Sequence, residues 1–376
     1  MSGGTRCNVT NVVVSERDFW GGRPPIVRRI LRSFSADEAV RFFEGIGVRL
    51  HEEADGKLFP DSGRARDVLA ALLGEIDRLG VALHAAQRVV DVTRRGGVFV
   101  VHTTTSALSA RCVVLATGGR SLPKTGSDGA GLAMAERLGH TIVATTPALV
   151  PLVLAESGIH GELAGVSHDV ELTIWIDGAS SRRLAGALLW THFGVSGPVA
   201  LNASRHWCRA KIQGADVTIT ANFWGGLPFE DVDEELQATA RARPKLSAQT
   251  ALAARLPASV ARVLLSARGI GADRPLSQLA REERRRLAHA LTEWPLPVTG
   301  TRGYNHAEAT AGGVALEEIN PATMESRVCP GLLLVGEMLD VDGRIGGFNF
   351  QWAWSSAYVA AKGIAQILQA QAADAT

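Results

Sequence analysis

The sequence lacks paired cysteines, an excess of charge of either sign and any long apolar run. Its four cysteines, Cys7, Cys112, Cys208 and Cys329, are scattered, with no CxxC pair for a redox disulfide and no metal-ligand spacing. Basic and acidic residues number 39 and 38, so the formal net charge of +1 gives no global attraction for nucleic acid or anionic membrane. No apolar run approaches the ~18 residues of a membrane span. We therefore expect a cytoplasmic protein without a dithiol centre, a metal site, a nucleic-acid partner or a membrane partner.

Composition otherwise fits an ordinary globular chain. The 376 residues are 46% apolar and 20% charged, which is enough for a sizeable core and for two or three domains. The basic run REERRR at residues 281–286 is interpreted as the solvated face of a helix. Composition alone does not indicate an oligomeric state.

The most informative stretch is CPGLLLVGEMLDVDGRIGGFNFQWAW, at residues 329–354. An apolar run ends at Gly336-Glu337, and Gly346 and Gly347 then lead into a segment of helical character. Adjacent glycines let the backbone pass close to a ligand, and the amides at the start of a helix favour an anionic or electron-rich group. A flavin ring or a phosphate fits this pattern, and a glycine-rich turn capping a buried strand is the alternative.

A second segment, RCVVLATGGRSLPKTGSDGAG at residues 111–131, has the same character. Val113 to Leu115 are predicted to form a short strand ending at Ala116-Thr117-Gly118-Gly119, where small residues let a backbone approach a cofactor. Two such strand ends, far apart in one chain, are typical of flavoproteins with a glutathione-reductase-like FAD domain.

Four motifs in a fixed order carry a family resemblance. They are SGGTRCNVTN at 2–11, ATGG with PKTGSDGAG at 116–131, THFGVSGP at 191–198, and AEATAGGVALEEINPATMES with PGLLLVGEMLDVDGRIGGFNFQWAW at 307–354. With these motifs the chain resembles the BaiN-like (aminoacetone-oxidase-like) NAD(P)/FAD-dependent oxidoreductases of bacteria over nearly its whole length. The resemblance implies FAD as cofactor and NAD(P)H as a transient reductant.

One part of that family pattern is missing from the sequence. Such proteins begin with a strand, a GxGxxG turn, a helix and a second strand ending in Glu, whereas this chain starts at the SGGxRCN segment. Gly129-Ala130-Gly131 is not a substitute, because it follows a long loop and lacks a third glycine at Met134. We predict instead that it starts an amphipathic helix. We expect Met1 to be an internal methionine of a longer protein, with a true truncation as the alternative.

Changes of hydrophobic period predict the domain organisation. The fold class is α/β, with a glutathione-reductase-like FAD domain that lacks its first βαβ unit, an inserted antiparallel β-barrel-like domain and a helical subdomain. The predicted parts are residues 1–150 and 305–376 for the FAD domain, 151–228 for the β domain, 229–293 for the helical insertion and 294–304 for a return strand. Substrate is expected to enter between the flavin and the insertion.

Two local predictions concern the first part of the FAD domain. Residues 65–79 place Val68, Leu69, Leu72, Leu73 and Ile76 on one face of a helix that ends at Gly80. The segment from residue 81 to 119 is predicted to form four strands: a parallel strand, a hairpin turning at residues 94–97, and the return strand ending at ATGG.

The resemblance also implies which residues line the cofactor, because hydride transfer belongs to the flavin while the protein positions it. Glu337 is assigned a hydrogen bond to the ribityl chain, with capping of the next turn as the alternative. Cys7 is placed near the flavin, or is only a small buried residue. Asp342 is assigned to organising the glycine loop, and no further ligands accompany it for a metal. The full set is Arg6, Cys7, Asn8, Ala116, Thr117, Gly118, Gly119, Gly336, Glu337, Asp342, Gly346, Gly347, Phe348 and Asn349.

Two residues are candidate proton donors. His192 in THFGVSGP is a candidate acid in the cleft, because histidine is a common general acid in enzymes, with a structural role in its loop as the alternative. Tyr304, just ahead of a returning strand, is the other, with core packing as its alternative.

These features favour two-electron redox chemistry at FAD on a small, largely apolar substrate. NAD(P)H-dependent reduction of an enone-like compound is the specific form of that prediction. The alternatives are a non-catalytic or degenerate flavoprotein that has lost tight FAD binding, and an FAD-dependent oxidase of a small amine or ketone. An FAD-dependent RNA-modifying enzyme is a third class, against which the near-neutral charge argues.

Overall fold

The computed structural model describes the backbone of residues 6–373. The chain divides into two compact units. Unit 1 contains the residues up to Pro147 and those from Ala307 onward, and unit 2 contains Ala148–His306. Residues 2–5 of the SGGTRCNVTN motif lie outside the described part of the chain.

The first part of unit 1 combines short strands with four helices of eight or more residues. In chain order its elements are β1 (Thr10–Asn11), β2 (Phe19–Gly21), α1 (Pro24–Ser33), α2 (Ala36–Gly45), β3 (Leu50–Glu53), β4 (Lys57–Pro60), α3 (Ala65–Arg78), β5 (Val89–Arg95), β6 (Val98–Thr103), β7 (Ala107–Ala110), β8 (Val113–Leu115), α4 (Ala130–Arg137) and β9 (Ile142–Ala148).

Unit 2 consists of an antiparallel sheet and helices. Its elements are β10 (Leu152–Leu154), β11 (Ser167–Ile176), β12 (Ala179–Thr191), β13 (Gly194–Ser196), α5 (Pro198–Ile212), β14 (Val217–Asn222), α6 (Phe229–Ala242), α7 (Ala248–Leu252), α8 (Ala258–Ala267), α9 (Arg281–Thr292), β15 (Trp294–Leu296) and β16 (Val298–Thr301). The chain then returns to unit 1 through β17 (Ala309–Val314), β18 (Leu332–Leu334), β19 (Val341–Gly343) and α10 (Phe348–Ala373).

Strand pairing in unit 1 brings its two sequence-distant parts together. The strand of the ATGG motif, β8, pairs in parallel with β18, so that Leu115 lies opposite Leu334. In addition, β19 pairs with β2, and β17 is the neighbour of β9. The core between these pairs contains Leu332, Leu333 and Trp352. Both glycine-containing strand ends therefore belong to one unit, as the motifs predict.

The hairpin predicted at residues 94–97 is confirmed. Gly96 and Gly97 connect β5 to β6 with φ angles of 57° and 85°, which suit the two-residue turn that joins twisted antiparallel strands. The helix predicted after Gly129 also forms, as α4, and it buries Leu132 and Ala135.

The structure corrects one prediction in the same part of the chain. Residues 81–85 are not a strand, and the third strand beside the hairpin is instead β7. The helix predicted at residues 65–79 is confirmed as α3, whose predicted face buries Val68 and leaves Leu69 57% exposed and Leu73 40% exposed. Residues 81–85 join none of the described sheets.

The sheet of unit 2 has seven strands in the order β15-β14-β11-β12-β13-β10-β16, and its recorded pairings are antiparallel. Asp177 and Gly178, with φ angles of 50° and 79°, make the tight turn between β11 and β12. The order starts at β15 and ends at β16, and the predicted barrel-like form is not confirmed. Residues 294–304, predicted as one return strand, supply both of these edge strands.

Helices cover this sheet and extend it. Helix α5 packs on β11 and β12, where Leu172, Ile174 and Trp190 are buried. Helices α6 to α9 follow β14 and fall within the segment predicted to be helical, with α6 packed on α9 and α7 on α8. Among the residues that the structure describes, no helix combines the length and the apolar character needed to cross a membrane.

Candidate functional site

Thr310 joins the two strand ends of unit 1. It is fully buried on β17, and its hydroxyl oxygen accepts hydrogen bonds from the backbone N–H groups of Arg120 (2.8 Å) and Ser121 (3.2 Å). Its own N–H donates to Oε1 of Glu337 at 2.8 Å. The loop after β8 and the loop after β18 are thus held by the same residue. Sequence reasoning missed Thr310 as a site residue, although it lies inside the quoted AEATAGG motif.

Gly119 has no room for a side chain at this junction. A Cβ atom there would lie 2.4 Å from Oγ1 of Thr310 and 2.8 Å from Oε1 of Glu337. Distances this short do not occur between a real Cβ and its neighbours, so the absence of a side chain is what lets the three segments meet. The second glycine of ATGG is therefore explained by protein packing.

Glu337 is mostly buried, and burial raises the pKa of its carboxyl group, while its hydrogen bonds with Thr310 partly offset the effect. One carboxylate oxygen is used by the Thr310 amide, so this side chain links strand ends within the protein. The assigned hydrogen bond to a ribityl chain stays a prediction.

The glycine loop packs against the N-terminal motif. A Cβ on Gly347 would lie 2.5 Å from the carbonyl oxygen of Thr10, and Gly347 has a φ of +89°. Asn11 donates from Nδ2 to the Gly346 carbonyl at 3.2 Å, and the Thr10 hydroxyl donates to Oε1 of Gln351 at 2.6 Å. Gly347 is thus enclosed by protein backbone on its Cβ side, whereas the sequence had indicated ligand space there.

Several other residues predicted to line the cofactor are used by the protein itself. With its amide oriented to satisfy its neighbours, Asn8 donates to the Thr10 carbonyl (2.8 Å) and accepts from the Gly347 N–H (3.0 Å). Asn349 accepts from Gly343 N (2.8 Å) and donates to Gly343 O (3.0 Å). These amides fix the shape of the glycine loop.

Arg6, Cys7 and Phe348 also have protein surroundings. Arg6 pairs with Glu53 and lies over the Phe59 ring, 4.3 Å from its centroid. Cys7 is buried, which raises the pKa of its thiol. Phe348 is fully buried at the start of α10. The predicted proximity of Cys7 to a flavin stays a prediction.

Gly336 and Asp342 complete the predicted set. The N–H of Gly336 donates to the Ser356 hydroxyl at 2.9 Å, and its carbonyl accepts from the Trp352 indole at 3.0 Å. Asp342 is buried on β19, close enough to Glu337 to help raise that pKa. Among the residues that the structure describes, no group of three His, Cys, Asp or Glu side chains is arranged to hold a metal ion.

The end of β8 is where this unit offers surface to a ligand. Ala116 and Thr117 are exposed and Gly118 is half-buried. The hydroxyl of Ser127 is buried, has no hydrogen-bond partner among the described residues, and lies 2.9 Å from where a Cβ of Gly118 would be. An unpaired buried hydroxyl beside an exposed small-residue strand end fits the polar edge of a bound flavin. In this respect the residues present fit FAD.

Helix α4 begins directly against this strand end. A Cβ on Gly131 would lie 1.9 Å from Oγ1 of Thr117. Gly131 is therefore required for close packing of the helix on the strand end.

The two candidate proton donors lie in unit 2, whereas the predicted cofactor residues lie in unit 1. His192 is exposed in the turn between β12 and β13, with its ring edge-on to Phe193 at 5.1 Å. Tyr304 is half-buried in the loop after β16. Their assignment as acids stays a prediction.

Comparison with known proteins identifies the family. A family model described as the HI0933-like protein Rossmann domain matches residues 1–363. A ribosomal RNA dihydrouridine synthase of Haemophilus influenzae is 31% identical over 97% of this chain and 89% of its own length. The corresponding protein of Escherichia coli is 33% identical over 96% of this chain and 87% of its own length. A 3-dehydro-bile acid delta(4,6)-reductase of Clostridium scindens is 30% identical over 97% and 89%.

The chain therefore belongs to the HI0933-like family with its Rossmann domain, and the relatives named here include an oxidoreductase. This result confirms the α/β class and the oxidoreductase family predicted from the motifs.

Proposed function

We propose that this member of the HI0933-like family is an FAD-dependent oxidoreductase that reduces a carbon–carbon double bond conjugated to a carbonyl group. The observation that carries the proposal is the convergence of the ATGG strand end, Thr310 and Glu337 in unit 1, beside the unpaired Ser127 hydroxyl. FAD, when bound, supplies two-electron hydride chemistry.

The activities for which the relatives are named support this reaction class. A 3-dehydro bile acid with double bonds at positions 4 and 6 is a conjugated ketone. Dihydrouridine is uridine with two hydrogens added across the bond between C5 and C6, which is conjugated to the C4 carbonyl. The same change, two electrons and two protons at an enone-like bond, describes both. A small conjugated ketone is the substrate we propose for this chain.

The chain's own residues would position the cofactor. The exposed backbone at Ala116 and Thr117 would border it, and the Ser127 hydroxyl would gain a hydrogen-bond partner. Glu337 and Thr310 would hold that border in place through their hydrogen bond.

A cytoplasmic location stays a prediction.

The test is an anaerobic titration of the purified, FAD-loaded protein. NADH or NADPH is added while the flavin absorbance is followed, and a small conjugated ketone such as cyclohexenone is then added. We expect bleaching by one nucleotide and reoxidation by the ketone. Absence of bleaching with both nucleotides would contradict an NAD(P)H-dependent reductase and favour an oxidase of a small amine or ketone. Failure to bind FAD would favour a non-catalytic flavoprotein.

Glu337 gives a separate test of the cofactor position. Replacing it by alanine should weaken FAD binding by about 1 to 3 kcal/mol, because the Thr310 amide loses its acceptor and the loop beside the cofactor loses its anchor. Glu317→Ala, at an exposed position of the same unit, is the matched control. Equal FAD affinity of the two variants would move the site away from Glu337.

A second candidate substrate is a uracil base within RNA. It is favoured because two of the relatives named above are ribosomal RNA dihydrouridine synthases. The near-neutral net charge argues against RNA only if the charges are evenly spread over the surface. An oligouridylate replaces the ketone in the same assay, and a mass gain of two hydrogens in the RNA would identify it as substrate. An unchanged mass with active ketone reduction would exclude this candidate.

A further inference from the structure

Unit 2 contains a cavity beside a cluster of basic residues, and neither belongs to the site described above. The cavity has a volume of about 340 Å³ and lies between α6 and α7, with an apolar lining that includes Leu236, Leu246 and Ala251. This volume is at the lower end of the range of about 300 to 1,000 Å³ for small-ligand pockets. It is large enough for one planar ring system with its substituents.

One wall of the cavity offers a flat cation and hydrogen-bonding groups. The guanidinium of Arg255 lies over the Trp224 ring, 5.3 Å from its centroid, and pairs with Glu235 at 3.1 Å. Its side chain is 47% exposed, so part of the guanidinium remains open to a ligand. Thr239 and Thr250 also line the cavity. Arginine planes of this kind stack on nucleobases, and carboxylate and hydroxyl groups bind base edges.

Three exposed cations lie at alternating positions from the last turn of α6 into the loop that follows it: Arg241, Arg243 and Lys245. Arg243 itself lines the cavity. No ion pair of these three residues is recorded within residues 6–373. Several cations in a row favour a ligand with several negative charges over a single carboxylate.

The loop that carries these cations is held in place. The Pro244 carbonyl accepts a hydrogen bond from the Ser277 hydroxyl at 2.6 Å. The Leu246 carbonyl accepts from the Leu276 N–H at 2.9 Å, and the Leu246 N–H donates to the Arg243 carbonyl at 3.0 Å. A fixed loop loses little conformational entropy when a ligand binds.

Charge is segregated along α6, which explains why the net charge of the chain is uninformative here. Glu230 and Asp231 lie in the first turn of the helix, and Arg241 lies in its last turn. At a rise of about 1.5 Å per residue, the two ends of this helix are roughly 16 Å apart, beyond the screening length of about 8 Å at physiological salt. The acidic side chains of α6 extend as far as Glu235, which lines the cavity and pairs with Arg255, so the basic surface begins at Arg241.

We propose that this cavity and the run Arg241, Arg243 and Lys245 bind single-stranded RNA, with one base in the cavity and successive phosphates on the cations. The proposal rests on the second candidate substrate above and extends it by assigning an RNA-binding surface in unit 2. It predicts affinity that depends on salt and on the cavity.

Binding is measured by fluorescence anisotropy with a fluorescein-labelled 12-nucleotide oligouridylate and the full chain, from about 50 to 200 mM salt. The triple variant Arg241→Ala, Arg243→Ala, Lys245→Ala should bind at least about 10-fold more weakly. The slope of log affinity against log salt concentration should become shallower by about 2, since each of three lost phosphate contacts on a single strand contributes about 0.7. The control removes three exposed cations of unit 1: Arg29→Ala, Arg41→Ala, Arg66→Ala.

A second variant tests the cavity without changing charge. Ala254 is exposed and lines the cavity, so Ala254→Trp fills it with little effect on the core. We expect a several-fold loss of affinity with an unchanged salt slope. The proposal is overturned if the wild-type chain does not bind the oligouridylate at the lowest salt, or if either unit 2 variant binds as tightly as the control. Ketone reduction by the wild-type protein is assayed in parallel, so a failure of the proposed reaction is distinguished from a failure of RNA binding.

Discussion

Replacing Gly119 by alanine should destabilise unit 1 by about 2 to 6 kcal/mol, because the added methyl group has no space at the junction of three segments. The new Cβ would lie 2.4 Å from Oγ1 and 2.6 Å from Cβ of Thr310, and 2.8 Å from Oε1 of Glu337. Gly119 does not have a positive φ, so the effect comes from contact and not from backbone strain. Relief requires that Thr310 or Glu337 move.

The magnitude follows from two contributions. Overpacking of a buried site destabilises by about 1 to 3 kcal/mol. Displacing the Thr310 hydroxyl also weakens its hydrogen bonds with the amides of Arg120 and Ser121, at about 0.5 to 1.5 kcal/mol each. Glu337 would lose its alignment with the Thr310 amide as well, so FAD retention should fall together with stability.

The assay is urea unfolding followed by tryptophan fluorescence, with the bound flavin measured by absorbance. Gly74→Ala is the control, because Gly74 lies inside α3 with nothing within 4 Å of its missing Cβ, and this change should stabilise by about 0.5 to 1 kcal/mol. Thr310→Ala combined with Gly119→Ala should cost less than the sum of the two single changes, since both act on one contact. A stability of Gly119→Ala equal to that of Gly74→Ala would refute the reasoning.

Three further predictions test other parts of the chain. Gly347→Val should destabilise more than Gly126→Val, because both glycines have positive φ but only Gly347 faces backbone at 2.5 Å; equal unfolding midpoints would contradict this. His192→Ala should lower ketone turnover by about 10- to 1000-fold if this side chain delivers a proton, and unchanged turnover would assign it a structural role. Asp233→Asn should lower stability at pH 7, since its hydrogen bond with Arg284 holds the pKa of the Asp233 carboxyl below its usual value. That stabilisation is fully present above the pKa of an aspartate in the unfolded chain, about 3.9, and is lost as the pH falls through the lower pKa of Asp233 in the folded protein. The difference in unfolding free energy between wild type and Asp233→Asn should therefore be smaller at pH 3 than at pH 7. An equal difference at both pH values would exclude the ion pair as its source.

Local chemistry in the sequence determined the elements around the candidate site. Gly96 and Gly97 supply the positive φ angles of the hairpin turn, and the apolar run before Gly336 forms the buried strand β18. The pairing of β8 with β18 was predictable because both strands end in small residues that belong to one recognisable motif order. The turn and strand β18 depend on neighbouring residues, which a sequence displays directly, whereas the β8–β18 pairing joins segments far apart in the chain.

The strand predicted at residues 81–85 was wrong, and the helix predicted at residues 65–79 formed as α3 with part of its apolar face exposed. Their apolar pattern is compatible with a strand and a buried helix face, but burial requires a partner surface, and the described part of the chain supplies none at Leu69, Leu73 or Leu83, which is 61% exposed. A hydrophobic pattern gives the preferred face of an element and does not give the element that covers it.

The sequence by itself determined the family, the α/β class and the motifs that meet in unit 1. Only the tertiary structure showed that Asn8, Asn349 and Gly347 hold the glycine loop through hydrogen bonds and packing, and that Thr310 joins the two strand ends. The reason is that a polar side chain has the same pattern in the sequence whether its partner is a ligand or a distant backbone amide. Which of the two it contacts is decided when segments separated along the chain come together.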